Sequence, residues 1–139
     1  GGTKVGAMFG EAVVFTHGNM PKNFVTLVKQ HGALLAKGWL LGVQFDTLFT
    51  DDLYCRIARH ANDAADRIRE VLVERGYTLT FDAPTNQIFI TLDNETSERL
   101  QRSVRLGFME KADDTHTVMR ICTSWATTDE QVEQLIALL

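Results

Sequence analysis

Lys4 is the first residue whose surroundings suit chemistry. It lies in the run GGTKVG at residues 1–6, where glycines let the backbone turn tightly and bring the amine close to a bound group. A lysine amine attacks carbonyl groups once it has lost its proton. No Walker-type spacing surrounds this lysine, so the run does not predict a nucleotide-phosphate loop. By itself, the run is also typical of a solvated surface lysine.

Arg120 is the second such residue. It lies in the run VMRIC at residues 118–122, where strand alternation predicts that its guanidinium shares one face with Val118 and Cys122. A charge on such a face needs a partner. One interpretation is an ion pair with a carboxylate such as Glu110 or Glu11. The other is a guanidinium fork that binds the carboxylate of a ligand through two hydrogen bonds.

The remaining residues that could bind a metal or attack a carbonyl lie apart. The four histidines and two cysteines include no pair at metal-ligand spacing: His17, His31, His60, His116, Cys55 and Cys122. Ser124 and Cys55 have neither a nucleophile elbow nor a flanking base. The sequence therefore predicts no metal site, no disulfide framework and no acyl transfer.

The elements that position Arg120 are predicted from residue 50 onward. A helix capped by Thr50 carries an apolar stripe from Leu53 to Leu72 and stops at Gly76. Alternating apolar runs, turn residues and caps then predict strands at 77–81 and 87–92, a helix at 94–102, strands at 105–110 and 117–122, and a helix from Thr128 to Leu139. The order αββαββα predicts an α+β domain at 50–139, a small sandwich with helices on one face of a sheet.

Residues 1–49 have a different pattern. The β-branched and aromatic run at 11–15 predicts a short buried strand. From Ala33 to Phe49 apolar residues occur on every side, which predicts a buried helix at an interface. A membrane span is the alternative, but 17 residues with two charges are shorter than the roughly 20 apolar residues a bilayer needs. We therefore expect 1–49 to be the end of a larger domain.

Composition limits the classes of function. The 139 residues are 45% hydrophobic and 23% charged, as in one globular domain of ordinary size. Fourteen Lys and Arg against 18 Asp and Glu give a net charge of -4, which leaves no basic surface for nucleic acid. The two cysteines are typical of reduced thiols, so we expect a cytoplasmic protein with neither a nucleic-acid nor a membrane partner.

Four motifs in order carry a family resemblance. They are GGTKVGAMFGEAVVF at 1–15, KQHGALLAKG at 29–38, PTNQIF at 84–89 and MRICTSWAT at 119–127. Together they resemble the threonine aldolase and β-eliminating lyase family of pyridoxal-phosphate enzymes. The resemblance implies fold type I, with 1–49 as the C-terminal end of the cofactor-binding large domain and 50–139 as the small C-terminal domain.

The resemblance also implies roles for four residues. Lys4 matches the lysine that binds the cofactor covalently, and Arg120 matches the arginine that holds the substrate α-carboxylate. Thr3 matches a position that would help to bind the cofactor phosphate. Lys29 matches a basic residue near the site, where it would contribute to cofactor binding, or at the subunit interface. The family's ring-stacking histidine, the aspartate that pairs with the pyridine nitrogen and the main phosphate loop are expected upstream of Gly1. The chain by itself is therefore expected to be inactive.

The implied reaction is cleavage of the Cα–Cβ bond of a small β-hydroxy amino acid by a homo-oligomer, a dimer or a tetramer. Threonine or allo-threonine would give glycine and acetaldehyde. Within the family, β-elimination is the alternative reaction. Outside the family, the alternative is a non-catalytic α+β module that binds a carboxylate ligand or serves in oligomerisation.

Overall fold

The computed structural model describes all 139 residues, Gly1–Leu139, as two compact units. The first unit is Gly1–Cys55 and the second is Arg56–Leu139. A 3-10 turn at Thr3–Val5 opens the first unit, followed by helix α1 (Phe24–Gln30), helix α2 (Trp39–Phe49) and a 3-10 turn at Thr50–Asp52. Helix α3 (Leu53–Glu74) begins in the first unit and belongs mainly to the second.

The second unit has the predicted order of elements. After α3 come β1 (Thr78–Leu79), β2 (Gln87–Asp93), α4 (Asn94–Gln101), β3 (Gly107–Lys111), β4 (His116–Cys122) and α5 (Asp129–Leu138). The four strands form one antiparallel sheet in the order β1-β2-β4-β3. The predicted order αββαββα and the α+β class are therefore confirmed.

The core of the second unit lies between the helices and one face of this sheet. Alternation along β2 points Ile88, Ile90 and Leu92 into the core, and their partners on β4 are Ile121, Met119 and Thr117. Three helices contribute buried residues: Ala64, Ala65, Ile68 and Leu72 of α3, Leu100 of α4, and Val132 of α5. The sheet face opposite this core carries Phe89, Val118 and Arg120.

The end of β4 is fixed to α3 through a buried hydroxyl. Thr123, only 2% exposed, donates its hydroxyl hydrogen to the carbonyl of Ala61 at 2.6 Å. Asn86, which immediately precedes β2, donates from Nδ2 to the carbonyl of Thr123 at 2.7 Å. These bonds fix the ends of the two central strands, and Arg120 lies three residues before Thr123.

Two expectations for the first unit were wrong. Residues 11–15 form no strand, because no other segment pairs with them and an isolated extended segment has no hydrogen-bonded partner. The helix predicted over 33–49 begins only at Trp39, after Gly38, and in this chain it is largely exposed. Its burial at an interface stays a prediction. Leu48 is its one buried residue. No helix of the chain is long and apolar enough to cross a bilayer.

Candidate functional site

Lys4 lies in a closed loop of ten residues, here called the lysine loop (residues 1–10). The loop closes on itself because the Gly2 amide donates to the carbonyl of Gly10 at 3.2 Å. The Ala7 amide donates to the carbonyl of Gly2 at 2.9 Å. Gly10 has φ +108°, which a residue with a side chain rarely adopts. The glycine spacing therefore produces the tight turn that the sequence predicted.

The lysine loop packs on helix α2. The Met8 amide donates to Oε1 of Gln44 at 2.7 Å. A Cβ atom added at Gly10 would lie 2.5 Å from Cδ2 of Leu41, so only glycine allows the backbone to come this close. Val5, within the loop, is 4% exposed. The loop is thus anchored on both sides of Lys4.

The Lys4 side chain itself is exposed and forms no hydrogen bond or ion pair within the chain. Thr3 precedes it in the same 3-10 turn and is also exposed. Lys29 is exposed in the last turn of α1, and no hydrogen bond joins it to the lysine loop. The structure therefore brings Thr3 and Lys4 together and leaves Lys29 in a separate helix of the first unit.

Arg120 lies in the second unit, on the sheet face opposite the core. Its directly paired residues are Phe89 on β2 and Gly107 on β3. A Cβ atom added at Gly107 would lie 3.5 Å from Nε of Arg120 and 3.6 Å from its Cβ. The arginine side chain therefore lies over the bare backbone of Gly107, where a larger residue would press on it.

The guanidinium of Arg120 is only partly satisfied. Nη1 donates to Oε1 of Gln87 at 3.2 Å. Nε is buried and has no hydrogen-bond partner. A buried donor without a partner costs about 1–3 kcal/mol, so this side chain has an unused capacity to bind an acceptor.

The ion pair considered between Arg120 and Glu110 does not form. The chain has five salt bridges, and Arg120 takes part in none of them. In the register of β3, Gly107 lies opposite Arg120, whereas Glu110 lies opposite Val118, two residues further back along β4.

Sequence reasoning missed Gln87 and Gly107 as neighbours of Arg120. Alternation along β2 puts Gln87 on the face of Phe89, but that pattern does not say which strand lies beside β2. The sheet pairs β2 with β4, the fourth strand in the chain, rather than with β3. Two features of the sequence could have pointed to these neighbours: the motif PTNQIF, which contains Gln87, and the glycine at position 107, at the start of β3.

A second polar cluster closes the β3–β4 turn beside a cavity of about 550 Å³. Hydrogen bonds from the Thr115 hydroxyl and amide and from His116 hold the pKa of the Asp113 carboxyl well below its usual range. Nδ1 of His116 lies 3.1 Å from both carboxylate oxygens of Asp113. These bonds stay within the turn, and no group of three or more side chains in the chain is arranged to hold a metal ion.

Comparisons of sequence and of fold relate the chain to the same group of known proteins. No family model matches the chain. The chain is 30% identical over 136 residues to a low specificity L-threonine aldolase of Pseudomonas aeruginosa, a match that covers 97% of this chain. Its fold matches the solved structure of Leishmania major threonine aldolase with a TM-score of 0.77 and 35% identity, over 85% of this chain. The chain is a homologue of the threonine aldolases.

A more distant structure shows how widely the fold occurs. Sphingomonas wittichii serine palmitoyltransferase matches 84% of this chain with a TM-score of 0.60 and 16% identity. The α+β architecture is thus that of the C-terminal part of fold-type-I pyridoxal-phosphate enzymes, as the motifs predicted.

The matches cover only part of each known protein. The chain spans 38% of the Pseudomonas aeruginosa aldolase, 34% of the Leishmania major chain and 33% of the Sphingomonas wittichii chain. The family resemblance predicted from the four motifs is confirmed for this portion.

Proposed function

We propose that this chain is the C-terminal part of a pyridoxal-phosphate-dependent lyase. Its reaction would cleave the Cα–Cβ bond of a β-hydroxy amino acid, so that threonine or allo-threonine gives glycine and acetaldehyde. The observation that carries the proposal is the guanidinium of Arg120, which has a buried, unpaired Nε and no carboxylate partner. The homology to threonine aldolases supports the choice of reaction.

The residues of the first unit fit the cofactor. The Lys4 amine makes no hydrogen bond or ion pair within the chain, and it lies on a loop that hydrogen bonds hold closed. Pyridoxal phosphate, when bound, supplies the electron sink that makes cleavage next to the amino group possible. The Thr3 hydroxyl and the Lys29 ammonium are donors suited to an anionic phosphate. We assign these three residues to cofactor binding, with Lys4 as the residue that forms the covalent link.

Arg120 would bind and orient the substrate. Its planar fork would donate to the α-carboxylate, and a carboxylate held at two points has a fixed orientation. The amino acid would thereby be held with the Cα–Cβ bond in the position for cleavage. A base would accept the proton of the β-hydroxyl as the aldehyde leaves.

The 139-residue chain alone is expected to lack this activity. It corresponds to about two fifths of the aldolase it resembles, so most of the groups that position a cofactor would lie elsewhere in a longer protein. Correct positioning of the substrate and the cofactor accounts for much of an enzyme's rate acceleration, and one lysine cannot position them. We further propose that the complete protein acts as a homo-oligomer in the cytoplasm.

The test is Arg120→Lys in the longer protein that contains this chain. Lysine keeps the charge and loses the fork, and a hydrogen bond to a charged group contributes roughly 1.5–3 kcal/mol. We expect kcat/KM for threonine to fall about tenfold to a hundredfold, while the cofactor absorbance is unchanged.

Arg102→Lys is the matched control, because Arg102 is exposed after α4 and its side chain makes no hydrogen bond. Its kcat/KM should stay within about twofold of the unsubstituted protein. If Arg120→Lys keeps its kcat/KM and lowers only the melting temperature, Arg120 has a structural role and the proposal fails.

A further inference from the structure

The Arg120 guanidinium has one hydrogen-bond partner within the chain, Gln87. Gln87 is the first residue of β2, where it pairs with Cys122 and lies diagonally across from Arg120. Its Oε1 accepts the hydrogen bond from Nη1 at 3.2 Å. The backbone at this point is fixed by the bond from Asn86 to Thr123, so the Gln87 side chain extends from a fixed position.

The remaining donors of Arg120 are uncommitted. Nε is buried beside Gly107 without a partner, and Nη2 forms no hydrogen bond within the chain. Unlike Nε, Nη2 is not fully buried. One end of the guanidinium is therefore held by the protein and the other end is free for a ligand.

We propose that Gln87 is a positioning residue for substrate carboxylate binding, because it holds Nη1 and so presents the Nη2 side of Arg120 to the ligand. This inference rests on the proposed function of Arg120. It adds a residue that touches no substrate and acts only through the guanidinium.

The chemistry of the Gln87 side chain suits this task. An amide oxygen accepts a hydrogen bond and carries no charge, so it fixes the guanidinium without neutralising it. A carboxylate at the same position would form an ion pair with Arg120 and compete with the substrate carboxylate. The Arg120 guanidinium therefore keeps its orientation, and its full positive charge remains available to the substrate carboxylate.

Three variants of the longer protein separate these effects in steady-state kinetics. Gln87→Met keeps the length of the side chain and removes the acceptor, and we expect KM for threonine to rise about tenfold with kcat within about threefold. Gln87→Glu should raise KM further, to about a hundredfold, through competition. Gln134→Ala is the control, because Gln134 is exposed on α5 and bonds only to Glu130, and it should leave both constants unchanged.

A second measurement does not depend on activity. Hydrogen exchange of the Arg120 Nε–H group, followed by NMR on the 139-residue chain, reports how firmly the buried guanidinium is held. Gln87→Met should speed this exchange at least tenfold relative to Gln134→Ala. An unchanged exchange rate would overturn the positioning role, even if the variant were less stable.

Kinetics of Arg120→Lys, measured in parallel, separate the positioning role of Gln87 from the carboxylate-binding role of Arg120. If Arg120→Lys loses kcat/KM while Gln87→Met keeps a normal KM, the positioning role is wrong and the proposed function stands. If neither substitution affects the kinetics, the carboxylate role of Arg120 fails and the inference fails with it. A loss in both variants, with the Gln87→Met loss confined to KM, supports both.

Discussion

The two units of the chain contrast in how they use their apolar residues. In Arg56–Leu139, a continuous core includes Ala65, Leu72 and Ile90, each 0% exposed. In Gly1–Cys55, large apolar side chains remain exposed, among them Met8 at 84%, Val14 at 75% and Trp39 at 64%. Both units are rich in apolar residues, so apolar content does not explain the difference.

The difference lies in periodicity. Helix α3 carries its apolar residues on one stripe, and β2 alternates, so each element has one face to bury and the faces meet. Helix α2 is apolar on all sides, and the lysine loop covers only a part of it. A patterned segment can therefore complete its core within its own unit, whereas an apolar segment without a pattern leaves surface exposed.

The largest expected effect sharpens this contrast with a matched pair of leucines. Leu72→Ala should lower the free energy of unfolding by about 2–5 kcal/mol, because Leu72 is fully buried. Leu40→Ala, on α2, should cost no more than about 1 kcal/mol, because Leu40 is 50% exposed. Chemical denaturation followed by circular dichroism measures both. Equal losses would show that the first unit has a core comparable with the second.

A smaller effect compares helix caps. Thr128 caps α5 in a reciprocal arrangement, since its hydroxyl accepts from the Gln131 amide at 3.2 Å and Oε1 of Gln131 accepts from the Thr128 amide at 3.0 Å. Thr128→Ala should destabilise the chain by about 1 kcal/mol.

Asn23 precedes α1 and makes no side-chain cap bond, so Asn23→Ala should change stability by less than about 0.5 kcal/mol. The two midpoints of thermal unfolding give the comparison. If Asn23→Ala lost more stability than Thr128→Ala, the expectation that only the helix of the second unit is stabilised by its cap would be wrong.

The smallest expected effect is a pH dependence confined to the second unit. The pKa of Asp113 is lowered by hydrogen bonds from Thr115 and His116, so its folded state favours the ionised carboxylate. The stabilisation is present above the unfolded pKa of about 3.9 and is lost as pH falls through the lower folded value.

We therefore expect the thermal midpoint to fall less steeply below pH 4 in Asp113→Asn than in the unsubstituted chain. Asp114→Asn is the control, because the Asp114 carboxylate makes no hydrogen bond. If the thermal midpoint falls equally steeply below pH 4 in all three proteins, Asp113 does not contribute to the pH dependence of stability.

The candidate site was only partly predictable from the sequence. Glycine spacing predicted a tight turn at Lys4, and alternation predicted that Arg120 lies on one face of a strand with Val118. The alternative interpretation, an ion pair with Glu110, was wrong, because alternation does not give the register between β3 and β4, which places Gly107 opposite Arg120. Gln87 was not recognised for a similar reason, since pairing between β2 and β4 joins residues 33 positions apart.

The sequence by itself determined the order αββαββα, the Thr128 cap and the apolar faces of the second core, because helix and strand periodicities are local and act within a few residues. The predicted Thr50 cap was wrong, since Thr50 lies in a 3-10 turn without a side-chain cap bond. The sequence also carried the four motifs of the threonine aldolases. The tertiary structure decided the strand order β1-β2-β4-β3, the exposure of α2 and the hydrogen bond from Arg120 to Gln87. These features depend on which distant surfaces meet, and a local pattern states only that a face is apolar or polar, not what lies against it.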